Sequence, residues 1–260
     1  MPSEKRARQR AMRQVKVEQV QKHKRRSRRL RRALGAIVIV AALVGVIALV
    51  SQHPKPTAFT AVAPTCLPKG ETVSKSRHVN FTGTPPMCIS AKATYDATVK
   101  TDLGSFVISM PASRSPKAVN NFVFLARYRF FGGTKFFRAV PGTFVQGGSP
   151  TGKASGEAGY SWLSEPPKSS CAANKSCYPS WSVLYATREN KKKQNENGSQ
   201  FFVVLPKYEA LIGGDPIFTS FGRVISGRPV LEAIAKDGTA GGTPSKTHHI
   251  ISVTITKVAS

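Results

Sequence analysis

An uninterrupted apolar run, Ala33–Val50, divides this 260-residue chain into parts that must fold in different surroundings. Its 18 residues (ALGAIVIVAALVGVIALV) include no charged or strongly polar side chain. At 1.5 Å per residue, a helix of this length measures roughly 27 Å, close to the thickness of a bilayer core. We therefore predict a single transmembrane anchor at residues 33–50.

The residues on either side of the run predict its orientation. Residues 1–32 contain 14 Lys/Arg and two Glu, a charge of +12, whereas the residues directly after the run are uncharged. Because Lys and Arg beside a span stay in the cytoplasm, the N-terminus is expected there and everything after residue 50 outside the cell membrane. A cleaved signal peptide with its cleavage site at Ala61-Val62-Ala63 is the alternative, but its charged region would be unusually long.

The basic arm, residues 1–32, carries 12 of the chain's 26 net positive charges. Clusters of Lys and Arg can bind nucleic acid, but this arm has no aromatic residue to stack on bases. Beside a membrane span, a simpler interpretation is a topology signal that also contacts anionic lipid headgroups. We therefore favour anionic lipid over nucleic acid as the partner of the arm.

All four cysteines, Cys66, Cys88, Cys171 and Cys177, lie after the run, on the side where disulfides are favoured. Four cysteines allow three pairings, and the local one joins Cys66 to Cys88 and Cys171 to Cys177. A metal site is the alternative, but no Cys-x-x-Cys occurs and the pair His248–His249 is typical of a solvated turn. We expect two disulfides and no metal.

The exported part changes character near residue 93. Residues 51–92 are rich in Pro, Thr, Ser and Lys and show no periodicity, which predicts a stalk. Residues 93–260 form the predicted domain, which opens with a hairpin around the turn Asp102-Leu103-Gly104. Further short β-branched or aromatic runs follow, separated by Gly and Pro: TKFFRAV, TFVQGG, WSVLYAT, SQFFVVL, SFGRVIS and HIISVTITKV.

Two amphipathic helices are predicted among these strands. Ser115 can cap the first helix and Pro116 suits its first position, and apolar residues then recur at helical spacing. The second helix fits residues 227–236, GRPVLEAIAK. Since strands and helices do not alternate regularly, the pattern favours a mainly β fold, a closed antiparallel barrel rather than a parallel sheet.

Three motifs lie in order along the predicted domain: FFRAVPGTFVQGG at 136–148, NGSQFFVVL at 197–205 and SFGRV at 220–224. They resemble the cyclophilin family of peptidyl-prolyl cis-trans isomerases, whose usual wording is close to FHRxxPGFxxQGG, NGSQFF and FG+V. The resemblance covers roughly residues 93–258. The anchor and stalk further resemble membrane-tethered bacterial members, particularly actinobacterial ones.

The resemblance implies a closed eight-stranded antiparallel barrel capped by two helices, with the active face on one side and no cofactor. It implies a catalytic set of Arg138, Gln146, Gln200 and Phe202. The other residues that it places against the substrate are Phe137, Thr143, Phe144, Ala186, Thr187, Leu211 and Phe218.

The chemistry of prolyl isomerisation suits these residue types. Amide resonance gives the X-Pro bond a barrier of ~18–20 kcal/mol, and a guanidinium can donate a hydrogen bond to the prolyl nitrogen only as that nitrogen becomes pyramidal. Phe202 would grip the proline ring, while Gln146 and Gln200 would hold the flanking carbonyl. Because side chains alternate along a strand, Phe201 and Phe202 should point to opposite faces.

The chain departs from the family pattern around the predicted pocket. Thr143 stands where the family has an aromatic residue, Phe144 where Met is common, Ala210 where many members have Trp, and Phe218 near the family's His. Residues 162–181 resemble an insertion.

A second departure is the long loop at 187–197, which carries Lys191, Lys192 and Lys193 beside the groove. Such a run is usually a solvated surface, and the alternative is a site that attracts acidic client segments or wall polymers.

The sequence therefore predicts a single-pass membrane protein whose exported domain isomerises X-Pro bonds in proline-containing segments of secreted or cell-envelope proteins. One alternative is a catalytically weak or inactive module that only binds such segments, because Thr143 alters the pocket. Another is a protein that tethers nucleic acid through the basic arm.

Overall fold

The computed structural model describes residues 60–68, 71–167, 177–209 and 216–258. The basic arm and the predicted anchor at 33–50 lie outside the described residues. Within the described ranges, no helix combines the length and the apolar character needed to cross a bilayer.

The described residues of the domain form one antiparallel sheet of nine strands. Its strands are β1 (Thr94–Thr101), β2 (Gly104–Pro111), β3 (Arg138–Val140), β4 (Phe144–Gly147), β5 (Trp162–Leu163), β6 (Ser182–Glu189), β7 (Asn195–Val204), β8 (Ser220–Ser226) and β9 (Ile250–Lys257). Eight of them follow the order β3-β4-β7-β6-β8-β2-β1-β9, and β5 pairs beside this path with β7. The prediction of a mainly β, antiparallel fold is confirmed, and the strand added to the predicted eight is β5, which has only two residues.

Short backbone contacts join the two ends of this curled sheet. Lys135, before β3, forms an isolated bridge with His249, before β9. The N–H of Phe136 also donates to the carbonyl of His248 at 2.9 Å, and that of Ile250 to the carbonyl of Thr134 at 2.8 Å. The sheet therefore closes through residues 133–136 and 248–250 rather than through a ladder between strands, which differs from the fully closed barrel that was predicted.

The helices α1 (Pro116–Arg127), α2 (Pro206–Glu209) and α3 (Arg228–Lys236) pack against this sheet. Both α1 and α3 have a proline in the first turn. Proline suits this position because the backbone N–H that it lacks would have no partner within the helix. The apolar stripe predicted for α1 is fully buried, and the helix contacts β7, β8 and β9. α3 contacts β2, β3 and β4, and so lies behind the strands that carry Arg138 and Gln146.

The segment before β1 packs onto the domain instead of extending from it. Phe81 is 1% exposed and its ring lies 5.0 Å from that of Phe124, on α1. The backbone N–H of Phe81 donates to Ala158 at 2.8 Å, and that of His78 donates to Tyr128 at 3.0 Å. The described part of the stalk predicted for residues 51–92 is therefore packed on the domain. The sequence does not reveal this packing, because an isolated buried residue such as Phe81 creates no periodic pattern.

A disulfide closes this segment on itself. Cys66 and Cys88 are bonded, with their Cα atoms 5.3 Å apart, and the N–H of Cys88 donates to the side-chain oxygen of Asn120 at 2.8 Å. Cys177 is also disulfide-bonded, whereas Cys171 lies outside the described residues, so the predicted pairing of these two stays a prediction.

Candidate functional site

The strand register places three predicted site residues in one row. Arg138 on β3 lies opposite Gln146 on β4, and Gln146 lies opposite Phe202 on β7. Directly opposed residues of antiparallel strands point to the same face, so the three side chains share one face of the sheet. The next row, Ala139–Val145–Val203, points the other way and is fully buried, which identifies that second face as the core.

The two adjacent phenylalanines of the NGSQFF motif separate as alternation predicts. Phe201 is fully buried in the core, with its ring 5.5 Å from Phe122 and 5.7 Å from Phe131. Phe202 lies on the opposite side, on the face that carries Arg138. One ring therefore supports the sheet from inside, and the other belongs to the candidate site.

Four rings, of Phe144, Phe202, Tyr208 and Phe218, form an aromatic cluster around Phe202. The centroid of Phe202 lies 6.1 Å from Phe144, 6.3 Å from Tyr208 and 5.2 Å from Phe218, and these ring pairs are edge-on. Edge-on pairs at such distances are favourable, so the cluster presents a rigid apolar wall. Phe144 and Phe218 were predicted here from the sequence, whereas Tyr208, on α2, was not.

Tyr178 fixes the position of Phe218. Its hydroxyl accepts a hydrogen bond from the N–H of Phe218 at 2.8 Å and donates one to the carbonyl of the same residue at 2.9 Å. Burial raises the pKa of Tyr178 to about 12, so the hydroxyl stays protonated and can make both bonds. The predicted insertion at 162–181 thus supplies a residue that holds the aromatic cluster.

Arg138 lies against this cluster without a carboxylate partner. Its guanidinium carbon is 4.8 Å from the centroid of the Phe144 ring, a cation–π contact. In the part of the chain that the structure describes, no carboxylate lies within ion-pair distance of Arg138 and no protein acceptor takes its hydrogen bonds. Burial lowers the pKa of Arg138, but an arginine stays charged at any physiological pH. The site therefore holds a half-buried cation whose donors are free.

Gln146 and Gln200 are joined side chain to side chain. The amide nitrogen of Gln146 donates to the oxygen of Gln200 at 3.1 Å. The amide nitrogen of Gln200 donates inward, to the carbonyls of Ala154 at 2.7 Å and Gly156 at 2.9 Å. Gln200 is only 3% exposed, which differs from the direct substrate contact predicted for it. In this structure it supports Gln146 from behind.

Ala186 and Thr187 lie where β6 loses its neighbour on one side. Among the described residues, β8 pairs with β6 only over Ser182–Leu184, which leaves this edge of β6 without a strand partner from Ala186 onward. The side chain of Asn197 donates to the carbonyl of Ala186 at 3.2 Å and to the hydroxyl of Thr187 at 3.0 Å, which fixes this edge from the β7 side. An exposed strand edge can pair with an extended peptide.

A loop between α3 and β9 covers the stem of Arg138. The carbonyl of Gly242 accepts the N–H of Ala139 at 2.9 Å, and a Cβ at Gly242 would come within 3.0 Å of the Arg138 side chain. Glycine is therefore needed for this close approach.

His248 holds the same loop in place. Its ring nitrogens lie 2.7 Å from a carboxylate oxygen of Asp102 and 2.9 Å from one of Asp237. Burial opposes the charged imidazole, but the hydrogen bonds to both carboxylates outweigh it and raise the pKa of His248. The same contacts lower the pKa of Asp102 and Asp237. We call these three residues the histidine clip.

Two further predicted site residues, Phe137 and Thr143, lie next to β3 and β4. Phe137 is half-buried directly before β3, and no ring contact among the described residues joins it to the aromatic cluster. Thr143 is buried in the turn before β4, with its hydroxyl 3.4 Å from the carbonyl of Pro141. Leu211, like Ala210, lies outside the described residues.

Comparison with known proteins shows what this arrangement resembles. A sequence model of the family described as cyclophilin type peptidyl-prolyl cis-trans isomerase/CLD matches residues 96–255. A peptidyl-prolyl cis-trans isomerase of Helicobacter pylori is 34% identical over 146 residues, covering 55% of this chain and 82% of the relative. The peptidyl-prolyl cis-trans isomerase-like 2 of Cryptococcus neoformans is 34% identical over 140 residues, but the match spans 54% of this chain and only 23% of that relative.

Solved structures give the same result. A cyclophilin type peptidyl-prolyl cis-trans isomerase of Cryptosporidium parvum aligns with a TM-score of 0.53 and 25% identity, covering 64% of this chain and 99% of that one. A second crystal structure of that protein, in the presence of the dipeptide Ala-Pro, aligns with a TM-score of 0.51. With the family motifs in one site and the family's sequence model matched across the domain, the chain belongs to the cyclophilin-type peptidyl-prolyl cis-trans isomerase family.

Proposed function

We propose that this protein catalyses cis-trans isomerisation of X-Pro bonds, with Arg138 acting on the prolyl amide beside the aromatic cluster. The observation that carries the proposal is the free guanidinium: Arg138 shares a face with Gln146 and Phe202, yet no carboxylate of the described residues neutralises it. The Ala-Pro dipeptide used with the Cryptosporidium relative supports a proline-containing ligand.

The free donors of Arg138 give the transition state a stabilisation that the ground state lacks. In the planar amide the prolyl nitrogen lends its lone pair to the carbonyl, so it accepts hydrogen bonds poorly. As the bond twists, the nitrogen becomes pyramidal and regains its lone pair, to which the guanidinium can then donate. An interaction that is stronger in the twisted state lowers the barrier, and no proton or covalent bond has to be transferred.

The aromatic cluster provides the place for the proline ring. Phe202 and Phe144 are both less than 10% exposed, so the ring would dock against their edges rather than displace them. Arg138 already lies over Phe144, at the border of the cluster. A proline packed on Phe202 would therefore present its nitrogen towards the guanidinium.

Gln146 and the free edge of β6 would hold the peptide on either side of the proline. One amide hydrogen of Gln146 is used by Gln200, which leaves its oxygen and second hydrogen for the substrate. The free edge at Ala186 and Thr187 offers backbone groups to an extended segment. Fixing the chain on one side of the X-Pro bond lets the other side rotate.

The cellular setting that we propose follows from the N-terminal sequence. Residues 33–50 would anchor the chain in the cell membrane, with the arm inside on anionic lipid headgroups and the isomerase domain outside. The Cys66–Cys88 disulfide supports an oxidising compartment. The substrates would be proline-containing segments of exported or envelope proteins, whose folding waits on an isomerisation of tens to hundreds of seconds.

A binding module without catalysis is the second candidate, favoured by one observation. Thr143 is buried in its turn, so no ring at this position walls the site. The same slot would then hold proline segments without accelerating their rotation.

Exchange spectroscopy on a peptide containing Ala-Pro separates the two functions, because it measures binding and the isomerisation rate together. We expect the full-length protein in detergent micelles to accelerate exchange, and Thr143→Phe to change kcat/KM by less than tenfold. Binding without acceleration by the wild type, together with acceleration by Thr143→Phe, would assign the binding function instead.

A further inference from the structure

A carboxyl group lies directly behind the Gln146–Gln200 pair. Glu157 accepts the backbone N–H of Ser199 at 2.6 Å through Oε2, and its Oε1 lies 3.1 Å from the amide nitrogen of Gln200. A Cβ at Gly198 would overlap this carboxyl group, so the glycine of the NGSQFF motif leaves the room that Glu157 occupies. The carboxyl group of Glu157 thus packs against β7, the strand that carries Gln200 and Phe202.

The hydrogen bonds around Glu157 hold its carboxyl group between Ser199 and Gln200. The two hydrogens on the Gln200 nitrogen face three acceptors, the carbonyls of Ala154 and Gly156 and Oε1 of Glu157. The hydroxyl hydrogen of Ser199 faces two, the carbonyl of Gly148 at 2.8 Å and Oε2 of Glu157 at 3.2 Å. Both side chains therefore turn their donors towards the carboxyl group.

Burial and hydrogen bonding shift the pKa of Glu157 in opposite directions. Burial raises the pKa of Glu157, while the hydrogen bonds from Ser199 and Gln200 and the more distant charge of Arg188 act in the opposite direction without cancelling it. The other titratable groups that face Glu157 are the hydroxyls of Tyr160 and Tyr185, whose own pKa values are raised mainly by burial, so they add no charge.

Three acceptors on the nitrogen side of Gln200 fix which way its amide points. Its oxygen must then face Gln146, whose nitrogen donates to it at 3.1 Å. That bond in turn fixes the amide of Gln146 on the face shared with Arg138 and Phe202.

We propose that Glu157 is a positioning residue for the isomerase reaction, which acts through Gln200 to hold the amide of Gln146 in its working orientation. This inference rests on the proposed function, and it adds a buried carboxyl group to the groups that serve the site. Glu157 itself touches no substrate. Its effect on catalysis must therefore pass through Gln146.

A double-mutant cycle on the full-length protein tests whether Glu157 acts through Gln146. Glu157→Ala, Gln146→Ala and the double variant are compared by kcat/KM for an Ala-Pro peptide, with melting temperature recorded for each. We expect each single variant to lose about tenfold and the double variant to lose no more than the larger single loss. Losses that multiply, to about a hundredfold, would overturn the proposal.

Two further variants separate positioning from general damage. Glu157→Gln keeps the shape but sets its amide nitrogen against either the Ser199 N–H or the amide nitrogen of Gln200, so we expect kcat/KM to fall between wild type and the alanine variant. Full wild-type activity of this variant would overturn the proposal. Glu196→Ala, which removes a carboxylate bonded to Ser161 and Asn190, is the matched control and should leave kcat/KM unchanged.

The cycle does not depend on a single variant. Glu157→Asp keeps the acid but withdraws it from Gln200 by one methylene, and it gives the same cycle should the alanine variant not fold. A wild-type protein without isomerase activity would refute the proposed function, whereas an active wild type with multiplying losses would refute the role of Glu157 alone.

Discussion

Replacing Arg138 by alanine should slow isomerisation strongly and affect folding little. In the described part of the chain the guanidinium makes a cation–π contact with Phe144 but no hydrogen bond or ion pair, so the folded state loses about 0.5–2 kcal/mol and is relieved of a half-buried charge. A hydrogen bond from a charged donor contributes about 1.5–3 kcal/mol. At about 1.4 kcal/mol per factor of ten, losing such a bond in the transition state lowers kcat/KM by roughly 10- to 150-fold.

The assay is catalysed exchange of an Ala-Pro peptide, which also yields the peptide's affinity. Arg138→Lys keeps the charge but not the planar fork of donors, so its rate should fall between wild type and the alanine variant. Arg223→Ala removes an exposed arginine from β8 and is the matched control. The mechanism would be refuted if Arg138→Ala kept the wild-type rate, or if it lost affinity in proportion to kcat/KM while kcat stayed constant.

Two further predictions concern stability. Phe81→Ala should lower the free energy of unfolding by about 3–5 kcal/mol, because it leaves a cavity where a buried ring was packed. Chemical denaturation measures this change, and an unchanged denaturation midpoint would show that the segment around Phe81 does not pack on the domain. The histidine clip should stabilise the domain most between about pH 4 and pH 6.5, the unfolded-state pKa values of its members. The carboxylate contribution is lost as pH falls through the lowered pKa values of Asp102 and Asp237, and the imidazole contribution is lost as pH rises through the raised pKa of His248. Melting curves of wild type and His248→Gln should converge above that pKa, and a constant difference up to pH 9 would contradict the assignment.

The face that carries Arg138, Gln146 and Phe202 could be predicted from the sequence because it depends on local patterns. Period-two alternation separates Phe201 from Phe202, and the motif spacing places Arg138, Gln146 and Phe202 on neighbouring strands. The pairing register of β4 with β7 follows from burial, because a shift by one residue would turn Val145 or Val203 away from the core. Within the described residues, the row across β3, β4 and β7 needed no long-range information beyond the order of the motifs.

The supporting residues could not be predicted because their roles depend on contacts distant in sequence. Tyr178 reaches Phe218 across 40 residues, and Glu157 reaches Ser199 across 42. Nothing in the local pattern distinguishes either from an ordinary surface residue. Phe81 likewise lies in a segment without periodicity, and its place in the core depends on the rings of Phe124, Tyr128 and Tyr160 and on the carbonyl of Ala158.

The altered Pro-Gly motif has a structural explanation in the rings around it. Thr143 is built into its turn through backbone bonds, its N–H donating to Val140 at 2.9 Å and its carbonyl accepting from Leu205 at 2.7 Å. Phe144, one residue on, is the first position of β4 that shares the face of Gln146, and its ring packs on Tyr208 at 5.4 Å. The ring of Phe144 on β4, packed on Tyr208 of α2, thus supplies the aromatic surface that Thr143 in the turn does not. Because that wall also lies under the guanidinium of Arg138, the departure from the family pattern and the proposed chemistry are compatible in this chain.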